Sequence, residues 1–258
     1  RITNPGGQRG WNDFPLIRWG KYKLPPGRDF GGIGGEVKLF VTDKIFINDV
    51  FVKNLLPAKA NHIEVQTSVV NRTGLSLPAT LRVRIVSEAG NTEVLDNQYY
   101  ILIHEGTDTL LKKGFTVPEA EQWDVDHPNL YRCEVTVASK NISDQYVQTF
   151  GFRVFEVRAN AKGEENFYLN GTRFRHKSAI DWGYYAHHGY YPDSAMARKS
   201  IEAAKAIGHN GINCHRNMGD PLLLKYADEG GLVILEEPGG FDETIKLYAE
   251  SNSKSIKT

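Results

Sequence analysis

The spacing of the hydrophobic positions has two different periods along the chain. From about residue 45 to about residue 157, apolar and polar residues alternate in short runs separated by turn-forming residues. A period of two is typical of strands with one buried face. The runs are 45–53, 62–71, 79–88, 98–104, 130–138 and 145–157. Short strands at this spacing over roughly 110 residues predict an antiparallel β-sandwich of immunoglobulin type.

The period changes from two to 3.6 near residue 160. After a predicted β pair over 166–180, Asp193 or Ser194 can cap a helix that Gly208 would end. Its apolar stripe is Ala197, Ile201, Ala204 and Ile207. The helix is followed at once by a strand over 211–214. We place a domain boundary at this change of period.

A second predicted helix and a third predicted strand follow, again with short connections. Asp220 and Pro221 fit the cap and first turn of a helix, and Gly230-Gly231 fits its end. Its predicted inner face is Leu223, Tyr226 and Ala227, and a strand over 232–236 comes next. Alternating strands and helices with short connections predict parallel βαβ units.

The first 45 residues differ from both regions. They are rich in Gly, Pro and Trp, and they include a predicted strand, EVKLFVT, over 36–42. Such a stretch cannot bury much by itself. We therefore expect it to be the tail of a preceding β domain, and the chain to be cut from a longer protein at both ends.

Composition narrows the choice of partners. The 258 residues are 40% hydrophobic and 24% charged, with a formal net charge of +0, which is typical of a folded domain. Without a basic run, neither nucleic acid nor an anionic membrane is expected, and no apolar stretch reaches the ~18 residues of a membrane span. Two isolated cysteines, Cys133 and Cys214, predict no metal site. The compartment stays open, with the periplasm or secretion favoured over the cytoplasm.

Several motifs occur in an order that resembles glycoside hydrolase family 2. That family contains β-galactosidases, β-glucuronidases and β-mannosidases, and the resemblance spans nearly the whole chain. The matching segments are DFGGIGGEVKL (29–39), Trp123-Asp124, HPNLY (127–131), TFGFR (149–153), FYLNG (167–171), KAIGHNGIN (205–213) and YADEGGLVILEEP (226–238).

The resemblance implies a multidomain architecture. Residues 1–45 would be the C-terminal remnant of a jelly-roll sugar-binding domain, and residues 46–158 an immunoglobulin-like β-sandwich. Residues 159–258 would be the N-terminal portion of a (β/α)8 TIM-barrel catalytic domain. The implied partner is a carbohydrate substrate, with no cofactor.

Candidate binding residues follow the barrel-like strands, because TIM-barrel active sites lie at the carboxyl ends of strands. Asp181 and Trp182 come after the first strand: an aromatic face can stack on a sugar, and a carboxylate can bind its hydroxyls. The alternative is that this aromatic loop only packs on the rim. His187-His188 lacks a third ligand, so we predict no metal there.

The second strand ends in Asn213-Cys214-His215-Arg216. Alternation sends His215 to the side of Asn213, and Cys214 to the other. In the resembled family an Arg and a His are common here, whereas this chain has Asn213 and Arg216 at those positions. Asn213, His215 and Arg216 remain candidates for sugar contact, with a structural salt bridge as the alternative.

Glu236 and Glu237 end the third strand. Neighbours on a strand point to opposite sides, so they cannot be the pair of carboxyl groups, about 5 Å apart, that a retaining glycosidase needs. The family pattern Glu-x-Pro implies that Glu236 faces substrate as a supporting acid and that Glu237 contacts the neighbouring layer. The catalytic glutamates of the family follow later strands, so we predict no catalytic residue within this chain.

Two functions remain open. The favoured one is a central segment of a retaining β-glycosidase, closest to a β-galactosidase and inactive by itself. The alternative is a non-catalytic carbohydrate-binding or scaffold module. An incomplete barrel would expose apolar surface and a strand edge, so we also expect partial disorder in the last third or self-association with another copy.

Overall fold

The computed structural model describes most of the chain beyond its first 36 residues. The described ranges are 37–57, 60–106, 108–160, 162–183, 192–215 and 218–237. The predicted jelly-roll remnant falls almost entirely outside them. Within these ranges, neither helix is long and apolar enough to cross a bilayer.

Seven strands form two antiparallel sheets that share one core. The first sheet has the order β1-β2-β5, and the second β4-β3-β6-β7. The strands are β1 (Ile45–Leu55), β2 (His62–Asn71), β3 (Leu77–Ser87), β4 (Glu93–Ile103), β5 (Asp108–Thr116), β6 (Tyr131–Ser139) and β7 (Ile142–Phe150). The predicted β-sandwich is therefore present.

Strict alternation explains the sandwich core. Along β6 every second residue is buried, and the same holds along most of β2 and β3. Leu81, Ile85 and Val135 are fully buried in one cluster that also contains Ile45 and Ile63 of the first sheet. Apolar side chains from the two sheets thus remove each other from water, which is the main driving force for this fold.

Three predictions about strands were wrong. The strand β5 was missed, because its alternating side chains are only half-buried and include Lys112 and Lys113. The run 145–157 is two strands rather than one, since β7 ends at Phe150 and the next strand begins at Phe155. Residues 37–42 form no strand, and Leu39 is 90% exposed.

A small antiparallel sheet follows the sandwich. It consists of β8 (Phe155–Ala159), β9 (Glu165–Leu169) and β10 (Thr172–Phe174), in the order β10-β9-β8. Asn170 and Gly171 connect the last two strands with φ values of 51° and 77°, as a tight hairpin turn requires. The predicted β pair is present here.

The last described part is a parallel β/α unit. Its order is β11 (Ser178–Asp181), α1 (Ser194–Ala206), β12 (Gly211–Cys214), α2 (Pro221–Gly230) and β13 (Val233–Glu236). The strands pair in parallel in the order β11-β12-β13. The predicted order of parallel βαβ units is confirmed. That further strands complete these units into a barrel stays a prediction.

Both helices begin where the sequence predicts. The Asp193 carboxylate accepts from the Met196 N–H at 2.7 Å, and Asp220 caps α2 ahead of Pro221. Gly231 ends α2 with a φ of 73°. One residue of the predicted stripe is wrong: Ile207 lies just past the end of α1 and is 71% exposed.

Trp123 connects the sandwich, the small sheet and the β/α unit. Its backbone N–H donates to Phe152 O at 2.9 Å, and its carbonyl accepts from Asn170 Nδ2 at 2.9 Å. Its indole N–H donates to the carbonyl of Asp228 in α2 at 2.7 Å. The side chain is 1% exposed and lies against Gly151.

We predict that Gly151→Ala destabilises the chain. A Cβ at position 151 would lie 2.7 Å from the Trp123 Cβ, and the buried indole has no room to move away. The free energy of unfolding should fall by about 1–3 kcal/mol, as in other overpacked sites. Urea denaturation measures the change.

Gly114→Ala is the matched control for this prediction. The nearest atom to a Cβ there is Ile63 O at 4.0 Å, so the free energy of unfolding should change by less than about 0.5 kcal/mol. Equal stabilities of the two variants would show that Gly151 and Trp123 are not in close contact.

Candidate functional site

The carboxyl ends of three parallel strands meet at one edge of the β/α unit. Asp181 of β11 pairs with Cys214 of β12, which pairs with Glu236 of β13. The backbone ladder continues one residue further, because His215 N donates to Asp181 O at 2.9 Å and Glu237 N to Cys214 O at 3.3 Å. Two rows of side chains therefore end this sheet, and alternation sends them to opposite faces.

The row of Asp181, Cys214 and Glu236 faces the helices. Cys214 is 1% exposed and packs with Ile212 in the core cluster formed by α1 and α2. Glu236 Oε1 accepts from the Gly219 N–H at 2.9 Å, just before α2 begins. Asp181 Oδ1 accepts from the Gly183 N–H at 2.7 Å. These carboxylates fix loops on the helix side of the sheet.

Cys214 is in an environment that disfavours a thiolate. Burial raises the pKa of its thiol to about 11, and the charges of Asp181 and Glu236 act in the same direction. This thiol is therefore protonated at neutral pH and inert as a nucleophile. Its role is packing.

The row of Trp182, His215 and Glu237, here called the rim row, belongs to the other face. His215 Nδ1 lies 2.9 Å from Glu237 Oε2, and its ring meets the Trp182 indole edge-on with centroids 4.6 Å apart. The side chains of His215 and Glu237 are 20% and 38% exposed. An aromatic face, an imidazole and a carboxylate thus lie together at a partly open edge.

Below the rim row, the same face carries Ile180, Asn213 and Leu235 in register. Ile180 is 55% exposed and Leu235 45%, whereas Ile212 and Cys214 on the opposite face are buried. Among the described residues, the Asn213 side-chain oxygen is one of two buried polar atoms without a hydrogen-bond partner. This face is apolar and only partly covered by the described residues.

The structure brings together some of the predicted site residues but not all. His215 lies on the face of Asn213 and next to Trp182, as alternation predicts. Arg216 lies outside the described residues. Whether any of these residues contacts a sugar stays a prediction.

The predicted orientation of the two glutamates was wrong. We expected Glu236 to face substrate and Glu237 to contact the neighbouring layer, but Glu236 binds the Gly219 loop and Glu237 pairs with His215. The physical reason is that Glu236 shares the side of Ile234, which packs against the helix cluster. The run LVIL is apolar at every position, so the sequence carried no signal for which side faces the helices.

No metal site is formed by the residues that the structure describes. No group of three or more His, Cys, Asp or Glu side chains in these ranges is close enough to hold an ion. The carboxylates of Asp181 and Glu236 lie on the opposite face from Glu237, which explains why they do not converge with it.

Comparison with known proteins relates the sandwich and the parallel β/α unit to glycoside hydrolases. Residues 45–153 match the family model described as glycosyl hydrolases family 2. The chain is 27% identical over 239 residues to a β-galactosidase of Thermoanaerobacterium thermosulfurigenes, covering 89% of this chain and 32% of that protein. It is 24% identical over 181 residues to the β-galactosidase BoGH2A of Bacteroides ovatus, covering 68% and 20%.

Solved structures show the same fold. A β-glucuronidase of Bacteroides uniformis superposes with a TM-score of 0.67 at 21% identity, over 78% of this chain and 25% of that one. The chain is therefore similar to proteins of glycoside hydrolase family 2, and the family model itself matches residues 45–153. It spans about a third or less of the length of the curated relatives that it matches.

We predict that Glu236→Gln lowers the pKa of Cys214. The amide oxygen can still accept from Gly219, but the negative charge that disfavours the thiolate is gone. The pKa should fall only partly toward the usual value of a thiol, since burial remains the larger cause. The NMR shift of the Cys214 Cβ carbon, followed against pH, measures it.

Glu229→Gln serves as the control, because Glu229 of α2 pairs with Arg198 of α1 and with Lys225, and has no part in the Cys214 shift. An unchanged Cys214 titration in Glu236→Gln would mean that Glu236 does not lie beside the thiol.

Proposed function

We propose that this chain is a segment of a β-glycosidase, closest in kind to a β-galactosidase, and that the rim row faces its sugar substrate. The observation that carries the proposal is the convergence of Trp182, His215 and Glu237 at the carboxyl edge of three parallel strands. In parallel β/α folds this edge is where ligands bind.

The chemistry of the rim row suits a neutral sugar. The face of an indole packs against the apolar C–H face of a pyranose, while a carboxylate accepts from hydroxyl groups. His215, held at 2.9 Å by Glu237, adds an imidazole ring, which can exchange hydrogen bonds with hydroxyl groups. The row would therefore bind and orient substrate.

Hydrolysis needs more than the rim row. A retaining glycosidase uses two carboxyl groups about 5 Å apart across the scissile bond. Glu236 and Glu237 belong to opposite faces of the sheet, which rules them out as that pair. We infer that the acid/base and the nucleophile follow later strands of a longer protein, and that the 258-residue chain alone does not hydrolyse glycosides.

The proposed division of the chain is the one that the sequence predicts. Residues 1–45 would end a jelly-roll domain, residues 46–158 form the sandwich, and residues 159–258 begin a TIM barrel. The exposure of Ile180 and Leu235 supports the last assignment, because the remaining barrel strands would cover this face. Self-association of the chain through the same face stays a prediction.

The test is hydrolysis of chromogenic β-galactosides, β-glucuronides and β-mannosides by this chain and by a longer product of the same gene. We expect turnover of at least one substrate by the longer product and none by this chain. Glu237→Gln in the longer product should lower kcat/KM by about 10- to 100-fold, the usual effect of losing a charged hydrogen bond.

Glu229→Gln, on the outer surface of α2, should leave kcat/KM unchanged. Tight sugar binding without turnover by the longer product would instead support the non-catalytic module. Turnover by the 258-residue chain alone would refute the inferred location of the catalytic pair.

A further inference from the structure

A loop of the sandwich contacts the C-terminal ends of both helices of the β/α unit. The Trp123 indole N–H donates to Asp228 O at 2.7 Å, close to the end of α2. Lys205, in the last turn of α1, donates to Val125 O and to Gly231 O. Gly231 approaches this loop so closely that a Cβ there would lie 2.4 Å from Val125 O. The backbone of Gly231 therefore lies directly against the backbone of Val125.

Arg153 completes the contact from the sandwich side. Its guanidinium carbon lies 4.3 Å from the centre of the Trp123 ring, and Arg153 Nη1 lies 2.7 Å from Asp228 Oδ1. An ion pair this exposed contributes little by itself. The buried indole N–H is different, because leaving it without an acceptor would be costly. We call Trp123, Arg153 and Asp228 the Trp123 joint.

Packing alone does not fix where α2 lies along its axis. Leu223, Tyr226 and Ala227 bury one face of α2 against α1 and the sheet, but hydrophobic contact is not directional. Directional hydrogen bonds act at the two ends of the helix. One is the indole bond to Asp228, and the other is the bond from Gly219 N–H to Glu236 at 2.9 Å.

The helix thus joins the sandwich to the carboxyl edge of the sheet. Its ten residues span about 15 Å. At its start, Asp220 caps the helix and Gly219 holds Glu236. Glu236 is the covalent neighbour of Glu237, whose carboxylate lies against His215. A shift of α2 along its axis would therefore change the geometry of the rim row.

We propose that Trp123 and Arg153 are positioning residues for the rim row, acting through α2 and Glu236. In this arrangement, residues of the sandwich determine the positions of the rim-row side chains. That the positioned row serves sugar binding rests on the proposed function. The connection from Trp123 and Arg153 through α2 to the rim row does not depend on the proposed function. An experiment can therefore contradict the connection and the sugar-binding role separately.

Arg158 offers a matched control for Arg153. It also places its guanidinium over an aromatic ring, at 3.8 Å from Tyr168, and pairs with a carboxylate, Glu156, at 3.6 Å. Among the described residues, its ring contact, its ion pair and its hydrogen bond to Gly171 O all lie within the small sheet. Arg153→Met and Arg158→Met therefore remove the same kinds of interaction at two different places.

The experiment compares these variants in the 258-residue chain. Amide hydrogen exchange is followed for residues 218–236 and for β6 in the same sample, together with the NMR shifts of the His215 ring protons, which depend on the Trp182 indole. In Arg153→Met, which removes the ion pair and the cation–π contact together, we expect exchange in 218–236 to accelerate about three- to tenfold, with altered His215 shifts and unchanged exchange in β6. In Arg158→Met, exchange in 218–236, exchange in β6 and the His215 shifts should equal those of the parent chain.

Arg153→Lys should restore part of the protection, because it keeps the charge opposite Asp228. Asp228→Asn provides a milder test if Arg153→Met folds poorly, since it keeps the backbone carbonyl that accepts from Trp123. Parental exchange and parental His215 shifts in Arg153→Met, in Asp228→Asn and in Trp123→Phe, which removes the indole N–H, would overturn the proposal. So would an acceleration that is uniform across β6 and 218–236, which would indicate a loss of global stability only.

Discussion

A buried indole N–H needs an acceptor, and the acceptor that Trp123 finds lies in another structural unit. The side chain belongs to the sandwich, where it fills the space that Gly151 leaves open. Its hydrogen bond to Asp228 ties that sandwich to the second helix of the parallel unit. The hydrogen bond from Lys205 to Val125 O and the close approach of Gly231 to the same carbonyl join the two units as well, whereas the exposed ion pair of Arg153 with Asp228 is weaker.

The second constraint is the pleat of the parallel strands. It divides four polar side chains at the carboxyl edge into two pairs with different contacts. Asp181 and Glu236 hold loops on the helix side, while His215 and Glu237 join Trp182 on the other face. Neighbouring positions such as Glu236 and Glu237 therefore have their carboxylates on opposite faces of the sheet.

The sequence predicted the elements well where local chemistry decides them. Asp193, Asp220, Pro221 and Gly231 mark the helix ends through caps and turns that need no tertiary contact. The strict alternation in β6 marks the sandwich core equally well. The strand β5 escaped because its side chains are half-buried and include two lysines, so its alternation is visible only in the three-dimensional structure.

The site could be predicted only in part. That polar residues follow each strand is readable from sequence, and so is the grouping of Asn213 with His215. Which face Glu236 takes depends on how β13 packs against the helices, and an apolar run cannot show this. The Trp123 joint depends on contacts between residues 105 positions apart, such as Trp123 and Asp228, which no local pattern reveals.

The most direct test of this account is an experimental structure of a longer product of the gene with a bound β-glycoside inhibitor. We expect a sugar hydroxyl within hydrogen-bond distance of Glu237, the indole of Trp182 against the sugar ring, and Glu236 still bound to the Gly219 loop. A sugar bound away from the rim row, with Glu237 turned toward the helices, would contradict the account.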